Sequence, residues 1–76
     1  MVTAFVLINA ETGAEDEIIS TLKMMKGVKE VYFVFGAYDI VTKTEEDSMK
    51  ELKEVTIKNI RKLDKVRSTL TMIATE

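Results

Sequence analysis

The sequence predicts an α+β domain whose elements follow the order β-α-β-β-α-β. Four short runs rich in β-branched and aromatic residues alternate with two segments whose apolar residues recur at helical spacing. The two halves repeat with an offset of 38 residues (66 minus 28), as shown by Leu22-x-x-Met25-x-x-Val28 and Ile60-x-x-Leu63-x-x-Val66. A doubled unit of this kind is typical of a ferredoxin-like domain, in which four antiparallel strands carry two helices on one face. We therefore expect a single domain over residues 1–76.

The first half reads as a strand followed by a short helix. Residues 3–9 form an apolar run that predicts the first strand. Thr12 and Glu15 have the spacing of a capping box, which predicts that Thr12 begins the first helix. Carboxylates fill its first turn, and Gly27 is expected to end it.

The second half reads as a hairpin, a helix and a last strand. We expect strands over residues 28–35 and 38–43, joined by a tight Gly36-Ala37 turn. The stretch from Thr44 to Asp47 repeats the cap spacing, which predicts a second helix from there to about Lys62. Residues 66–74 form the fourth strand.

One face of this sheet has no cover within the chain. Right-handed crossovers place both helices on the same side. Strict alternation assigns Phe5 and Leu7 to one face and Ala4, Val6 and Ile8 to the other, so neither face is polar. In the last strand the alternation separates two sets, Val66, Ser68, Leu70 and Met72 against Thr69, Thr71 and Ile73. We expect a second copy to cover the open face, sheet against sheet. The remaining aromatic residues are expected in the core or an interface: Tyr32, Phe33, Phe35 and Tyr38.

Composition removes several classes of function. The chain has no His or Cys, which excludes Ser-His and Cys-His triads and the usual zinc ligands, so no metal or cofactor is expected. A small ferredoxin-like enzyme stays an alternative, but Arg61 and Arg67 are expected to lie away from a pocket, and we expect no enzyme. No run is long enough to span a membrane, and a cytoplasmic chain is expected.

RNA binding is a second alternative, because RNA-recognition motifs share this element order. Their stacking aromatics belong on the first and third strands, whereas the run from Tyr32 to Phe35 falls on the second. The net charge of −2 also argues against phosphate-backbone binding. We therefore expect no direct nucleic-acid binding.

Three motifs resemble the RAM (regulation of amino acid metabolism) domain of Lrp/AsnC-type transcription regulators. They are the Gly27-Val28-x-x-Val31-Tyr32 entry, the Gly36-x-Tyr38-Asp39 hairpin and the strand Val66-x-x-Thr69-x-Thr71. The resemblance covers almost the whole chain. Regulators of this type carry an N-terminal helix-turn-helix domain, whereas the first strand here begins at about residue 3. We therefore expect a stand-alone RAM domain with no DNA-binding domain.

The resemblance also implies a binding site and an assembly. It implies homodimers that join into rings of octamer or decamer size and bind an amino acid between dimers. One wall would come from Gly36, Ala37, Tyr38 and Asp39, and the other from Thr69 and Thr71. Asp39 can accept from an ammonium group, and hydroxyl and backbone N–H groups can meet a carboxylate.

Each of these residues also has a purely structural explanation. Gly36 can serve a turn that needs positive φ, Asp39 can cap that turn, and threonines suit strands. The function implied is non-catalytic amino-acid binding and oligomerisation that modulates transcription, either by co-assembly with full-length Lrp/AsnC-type regulators or as a free-standing sensor.

Overall fold

A computed structural model describes residues 1–75 and confirms the ferredoxin-like fold. Strands β1 (Val2–Ala10), β2 (Val28–Phe33), β3 (Ile40–Glu46) and β4 (Val66–Ile73) form one antiparallel sheet in the order β2-β3-β1-β4. Helix α1 spans Glu15–Lys23. Helix α2 is continuous over residues 49–61 and has three segments, Met49–Glu51, Leu52–Ile57 and Lys58–Arg61. Both helices contribute to the core on one side of the sheet, and the other side is open.

The core lies between the central strands and the two helices. In β1, every second residue from Ala4 to Ala10 is buried, because alternate side chains of a strand point to the same face. Ile40 of β3 lies directly opposite Ile8, and both are fully buried. The helices cover this face with a set of buried apolar side chains: Ile18, Leu22, Leu52, Ile57 and Ile60.

The open face is mixed in character, which corrects the expectation that neither face is polar. Its apolar part lies on β1 and β4, where Phe5 is directly opposite Met72 and Leu7 is opposite Leu70. Its polar part lies on β2 and β3, where Lys43 is 3.6 Å from a carboxylate oxygen of Glu30. The apolar surface is therefore concentrated on one half of the sheet.

The connection between β2 and β3 is longer than the predicted tight turn. The second strand ends at Phe33 and the third begins at Ile40, so residues 34–39 form a loop. Gly36 has a φ of 152°, a conformation that residues with a side chain rarely adopt, so the predicted need for positive φ is confirmed. Phe35 is fully exposed, and its ring centroid lies 6.3 Å from that of Phe33. Within this chain, neither ring belongs to the core.

Helix α2 begins later than predicted. The stretch from Thr44 to Glu46 is part of β3, where it pairs with residues 2–4 of β1. The N-cap is Ser48, whose hydroxyl oxygen accepts a hydrogen bond from the backbone N–H of Glu51 at 3.1 Å. The strand extends because ladder hydrogen bonds to β1 satisfy the backbone groups that a cap at Thr44 would have served.

The capping box of α1 is also incomplete. Ala14 occupies the N-cap position, and its side chain makes no capping hydrogen bond. Glu15 does reach back, but its carboxylate accepts from the backbone N–H of Gly13 at 3.0 Å. The N-cap therefore lies two residues after Thr12, the predicted cap.

The middle of α2 is π-helical. Its residues Leu52, Thr56 and Ile57 are all buried against the sheet. In a regular α-helix, two consecutive residues diverge by about 100°, so Thr56 and Ile57 could not both face the core fully. The wider i→i+5 turn brings both inward. The π segment thus coincides with the burial of two consecutive side chains.

Thr56 meets a buried carboxyl group at the end of β3. Its hydroxyl donates to Glu46 at 2.6 Å, and Glu46 is 7% exposed. Gly27, with a φ of +90°, lies against this pair, so that a Cβ at residue 27 would collide with both side chains. Gly27 also accepts, through its carbonyl, from the backbone N–H of Glu45 at 2.8 Å. The loop after α1 is thus closely packed against the end of β3.

Candidate functional site

Asp39 is held at the end of the sheet by three hydrogen bonds. Its backbone N–H donates to the carbonyl of Ile8 at 3.0 Å, and its carbonyl accepts from the N–H of Val34 at 2.9 Å. One carboxylate oxygen accepts from the N–H of Ala10 at 3.0 Å. Among residues 1–75 this is the one hydrogen bond that the Asp39 side chain makes, so its second oxygen is available to a ligand.

A cavity of about 510 Å³ opens beside this carboxylate. It lies where β1 ends, β4 begins and the chain turns toward α1. Its lining is polar, and it holds two carboxylates, one guanidinium, one carboxamide and two hydroxyl groups. The lining residues are Asn9, Ala10, Thr12, Glu15, Asp39, Arg67 and Ser68. The cavity therefore offers partners to both charged groups of a zwitterion.

An irregularity in the strand pairing shapes one wall of the cavity. Asn9 is paired with Ser68, but the next residue, Ala10, is paired with Val66. Arg67 is thus the extra residue of a β-bulge. The bulge reverses the alternation at this point, so Val66 packs against the core rather than sharing a face with Ser68, as strict alternation predicted.

Of the six predicted site residues, the structure places Asp39 alone in the cavity. Gly36 and Ala37 are exposed at the loop, and Tyr38 is half-buried beside Asp39. Thr69 and Thr71 are half-buried and lie opposite Ile8 and Val6, on the helix-covered side of the sheet.

Within one chain, the predicted walls are therefore separated by β1. Asp39 and Thr69 flank Ile8 from opposite sides, so their backbones are about 10 Å apart, or two strand spacings. Thr69 and Thr71 also face the helix-covered side and do not line the cavity, so a single small ligand that contacts them and the Asp39 loop together would need these groups from different subunits. The threonine wall remains a prediction about an assembly.

Arg67 is the principal cavity residue whose predicted position was wrong. It was expected to lie away from a pocket, and it lines the cavity instead. The bulge that places it there depends on pairing between β1 and β4, which are distant in the chain. The one local signal is the polar pair Arg67-Ser68 at the start of an otherwise apolar strand.

The polar half of the open face carries a small charge network. The Tyr32 hydroxyl donates to Glu30, and Lys43 lies between Glu30 and Glu45, at 3.6 and 3.9 Å. This hydrogen bond lowers the pKa of Glu30 from its usual value, and the Lys43 charge lowers it further. The same hydrogen bond and the Glu30 charge raise the pKa of Tyr32. At neutral pH the network therefore holds Glu30 ionised and Tyr32 protonated.

In residues 1–75, no group of three or more His, Cys, Asp or Glu side chains is placed to hold a metal ion. None of the helices formed by these residues has the length and apolar character needed to cross a membrane.

Comparison with known proteins agrees with this architecture. Residues 3–76 match the family model of the Lrp/AsnC ligand binding domain. An uncharacterised HTH-type transcriptional regulator from Pyrococcus furiosus is 31% identical over 75 residues, which cover 95% of this chain and 50% of that protein. The chain thus spans about half the length of this curated relative.

Two solved structures show the same fold at higher or similar identity. The crystal structure of FFRP-DM1 is 43% identical, with a TM-score of 0.92, covering 97% of this chain and 99% of that one. AsnC of E. coli is 30% identical, with a TM-score of 0.83, and the match covers 99% of this chain and 51% of that one. With a family match over nearly its whole length, the chain belongs to the Lrp/AsnC ligand-binding (RAM) domain family.

Proposed function

We propose that this domain binds a free α-amino acid at the cavity beside Asp39 and has no catalytic role. The observation that carries the proposal is the Asp39 carboxylate, which is anchored by the Ala10 N–H through one oxygen and lines the cavity with the other available. A carboxylate fixed in this way can accept a charge-assisted hydrogen bond from a ligand ammonium without first losing side-chain freedom.

The loop of residues 34–39 supplies the wall around this carboxylate. Gly36 and Ala37 are exposed, and nothing lies within 4 Å of the position of a Cβ on Gly36, so a ligand can approach the loop backbone closely. Tyr38 lies between them and Asp39. We assign Thr69 and Thr71 to the opposite wall only through a neighbouring copy, because within one subunit neither lines the cavity that holds Asp39.

We further propose that the domain dimerises through the apolar half of its open sheet face. Phe5, Leu7, Leu70 and Met72 form two directly opposed cross-strand pairs there, and Leu70 and Met72 are each nearly half exposed. A two-fold axis through this patch would bring each pair against its own copy, sheet against sheet. Such dimers can join into a ring of octamer or decamer size. In that ring, the loop of residues 34–39 of one subunit would lie near a neighbouring subunit.

The regulatory part of the proposal rests on the relatives. The relative from P. furiosus is described as an HTH-type transcriptional regulator, and the present chain matches about half of it. We propose that this domain, acting in the cytoplasm and without binding nucleic acid directly, modulates such regulators by co-assembly. Copurification with a full-length Lrp/AsnC-type regulator tests this point, and its absence under all conditions leaves a free-standing amino-acid sensor.

Substitution of Asp39 tests amino-acid binding. Asp39→Asn retains an oxygen that can accept from the Ala10 N–H but removes the charge that an ammonium requires. With a panel of free amino acids, native mass spectrometry and thermal shift should show ligand-dependent mass and melting changes for the wild type. The variant should lose affinity by about ten-fold or more, because a hydrogen bond to a charged group contributes about 1.5–3 kcal/mol.

Asp64→Asn is the matched control. Asp64 also accepts a backbone N–H bond, from Lys65 at 3.1 Å, but it lies outside the cavity beside Asp39. This control should respond to amino acids like the wild type. An unchanged response of Asp39→Asn removes Asp39 from the site, and a wild type that binds none of the panel contradicts amino-acid binding itself.

A further inference from the structure

Arg67 is directed into the cavity by the bulge in β4. Neighbouring residues of a regular strand point to opposite faces, whereas a bulge bends the strand and changes the direction of the extra residue's side chain. The bulge leaves Arg67 without a partner on β1, because Asn9 pairs with Ser68 and Ala10 pairs with Val66. Arg67 and Ser68 both line the cavity beside Asp39. Bulges that redirect a side chain in this way are enriched next to functional sites.

The cavity keeps its opposite charges apart. The described residues form four ion pairs within 4.0 Å, involving Lys26, Lys43 and Lys65, and none includes Arg67. The two carboxylates of the cavity accept from nearby backbone instead, Asp39 from Ala10 and Glu15 from Gly13. A guanidinium and an anchored carboxylate that share a cavity without touching leave room for a molecule that carries both complementary charges.

The neighbours of Arg67 add hydrogen-bond donors on the same side. Asn9 donates through its side-chain nitrogen to the Ser68 hydroxyl oxygen at 3.2 Å. Because that oxygen acts as the acceptor, the Ser68 hydroxyl hydrogen is left to donate elsewhere. A planar guanidinium with an adjacent hydroxyl donor matches the two oxygens of a carboxylate.

We propose that Arg67, supported by Ser68, binds the α-carboxylate of the ligand within a single subunit, while Asp39 of the same subunit takes its ammonium. This assignment rests on the proposed amino-acid binding and makes it more specific. It defines the ligand class as α-amino acids with a free carboxylate. It also places both charged groups of the ligand in one chain, so the threonines of β4 are not needed to bind the carboxylate.

The test compares each amino acid with its carboxamide and its decarboxylated amine, for example leucine with leucinamide and isoamylamine. Binding is measured by titration calorimetry on the full chain. The wild type should prefer the amino acid over both analogues. Arg67→Gln should lose affinity for the amino acid by about ten-fold or more and should no longer distinguish it from the carboxamide.

Two further variants complete the design. Arg61→Gln removes an exposed arginine from α2, outside this cavity, and should behave like the wild type. Arg67→Lys keeps the charge without the planar fork, so it should bind more weakly yet still prefer the acid over the amide.

The outcomes distinguish a failure of the Arg67 assignment from a failure of amino-acid binding itself. If Arg67→Gln binds the amino acid with wild-type affinity and keeps its preference for the acid, the assignment of Arg67 is overturned while amino-acid binding stands. If the wild type binds no amino acid, the proposed function fails, and this assignment fails with it.

Discussion

Gly27 shows how a single residue can be required for two separate reasons. Its φ of +90° lies in a region that costs any other residue about 1–2 kcal/mol. Its Cα also lies against the buried pair of Glu46 and Thr56, whose hydrogen bond would have to move to admit a Cβ. Gly13 has nearly the same φ, +89°, but nothing lies within 4 Å of its Cβ position. A comparison of the two glycines therefore distinguishes the cost of backbone strain from the cost of a side-chain collision.

We predict that Gly27→Ala destabilises the domain more than Gly13→Ala does. Both variants incur the backbone cost, but the first also disrupts a buried hydrogen bond, which adds about 1–3 kcal/mol. Urea unfolding of both variants at one protein concentration measures the difference in the free energy of unfolding. Equal losses in the two variants would show that the Glu46 and Thr56 side chains move aside freely.

The Tyr32–Glu30 hydrogen bond gives a pH dependence on the open face. Because the pKa of Tyr32 is raised in the folded chain, its contribution to stability is present below the ordinary tyrosine pKa and is lost as pH rises through the folded value. Glu30 behaves in the opposite sense. Its pKa is lowered, so its contribution is present above the ordinary glutamate pKa and is lost as pH falls through the folded value.

We predict that Glu30→Gln moves the titration of Tyr32 down toward its ordinary pKa. The substitution removes the negative charge that opposes phenolate formation. Phenolate absorbance, with the signal of Tyr32→Phe subtracted, measures the change. Glu45→Gln is the control, because it removes the other carboxylate near Lys43 and leaves the Tyr32 hydrogen bond in place. The same titration curve in both variants would contradict the prediction.

The start of α2 illustrates how tertiary pairing selects among local signals. Thr44 and Ser48 each stand three residues before an acidic residue, so both have cap spacing, and the predicted cap was Thr44. In the fold, β1 is long enough to pair with β3 as far as Glu46, so Thr44 is part of the strand and does not cap a helix. The helix consequently begins at the second signal.

We predict that Ser48→Ala destabilises the domain by about 1 kcal/mol, the usual cost of removing an N-cap side chain. The hydroxyl that accepts from the Glu51 N–H would be lost. Thr12→Ala, at the cap predicted for α1, should cost less, because Ala14 occupies that N-cap position. Chemical unfolding of the two variants provides the comparison, and a larger loss for Thr12→Ala would reverse the assignment of the caps.

The internal repeat is preserved in backbone conformation as well as in apolar spacing. Gly27 precedes Val28 with a φ of +90°, and Lys65 precedes Val66 with a φ of +71°. Both helices are thus followed by a left-handed residue that turns the chain into the next strand. The repeat predicted the element order correctly because each half must perform the same helix-to-strand turn.

The proposed dimer depends on the apolar half of the open face. Leu70 lies opposite Leu7 in the middle of that half. We predict that Leu70→Glu converts the proposed dimer into a folded monomer, because an unpaired carboxylate in an apolar interface should raise the dissociation constant by about 100-fold or more. Light scattering after gel filtration, with circular dichroism as a folding check, measures the result.

Val55→Glu is the matched control for the interface. Val55 is 45% exposed, as is Leu70, but it lies on α2, on the opposite side of the sheet. It should leave the oligomeric state unchanged. A wild-type protein that sediments as a folded single subunit would contradict dimerisation through this face.

Local periodicity was sufficient for the class of fold. Alternation in β1 and helical spacing in α1 and α2 depend on residues within a few positions of one another, and they predicted the element order and the division of β1 between two faces. The resemblance to RAM domains, carried by the Gly36-x-Tyr38-Asp39 motif, predicts Asp39 as a binding residue, and this assignment stays a prediction. Its anchoring by Ala10 agrees with a role at the end of β1.

The details that shape the cavity arise between residues far apart in the chain. With the bulge at Arg67, β4 pairs with both Asn9 and Ala10 of β1. A shift of one residue in the pairing between two strands reverses the face of the side chains beyond it. No pattern within β4 specifies that shift. The order of strands and helices therefore follows from local periodicity, whereas the register that brings Arg67 and Asp39 to one cavity is set by hydrogen bonding across the assembled sheet.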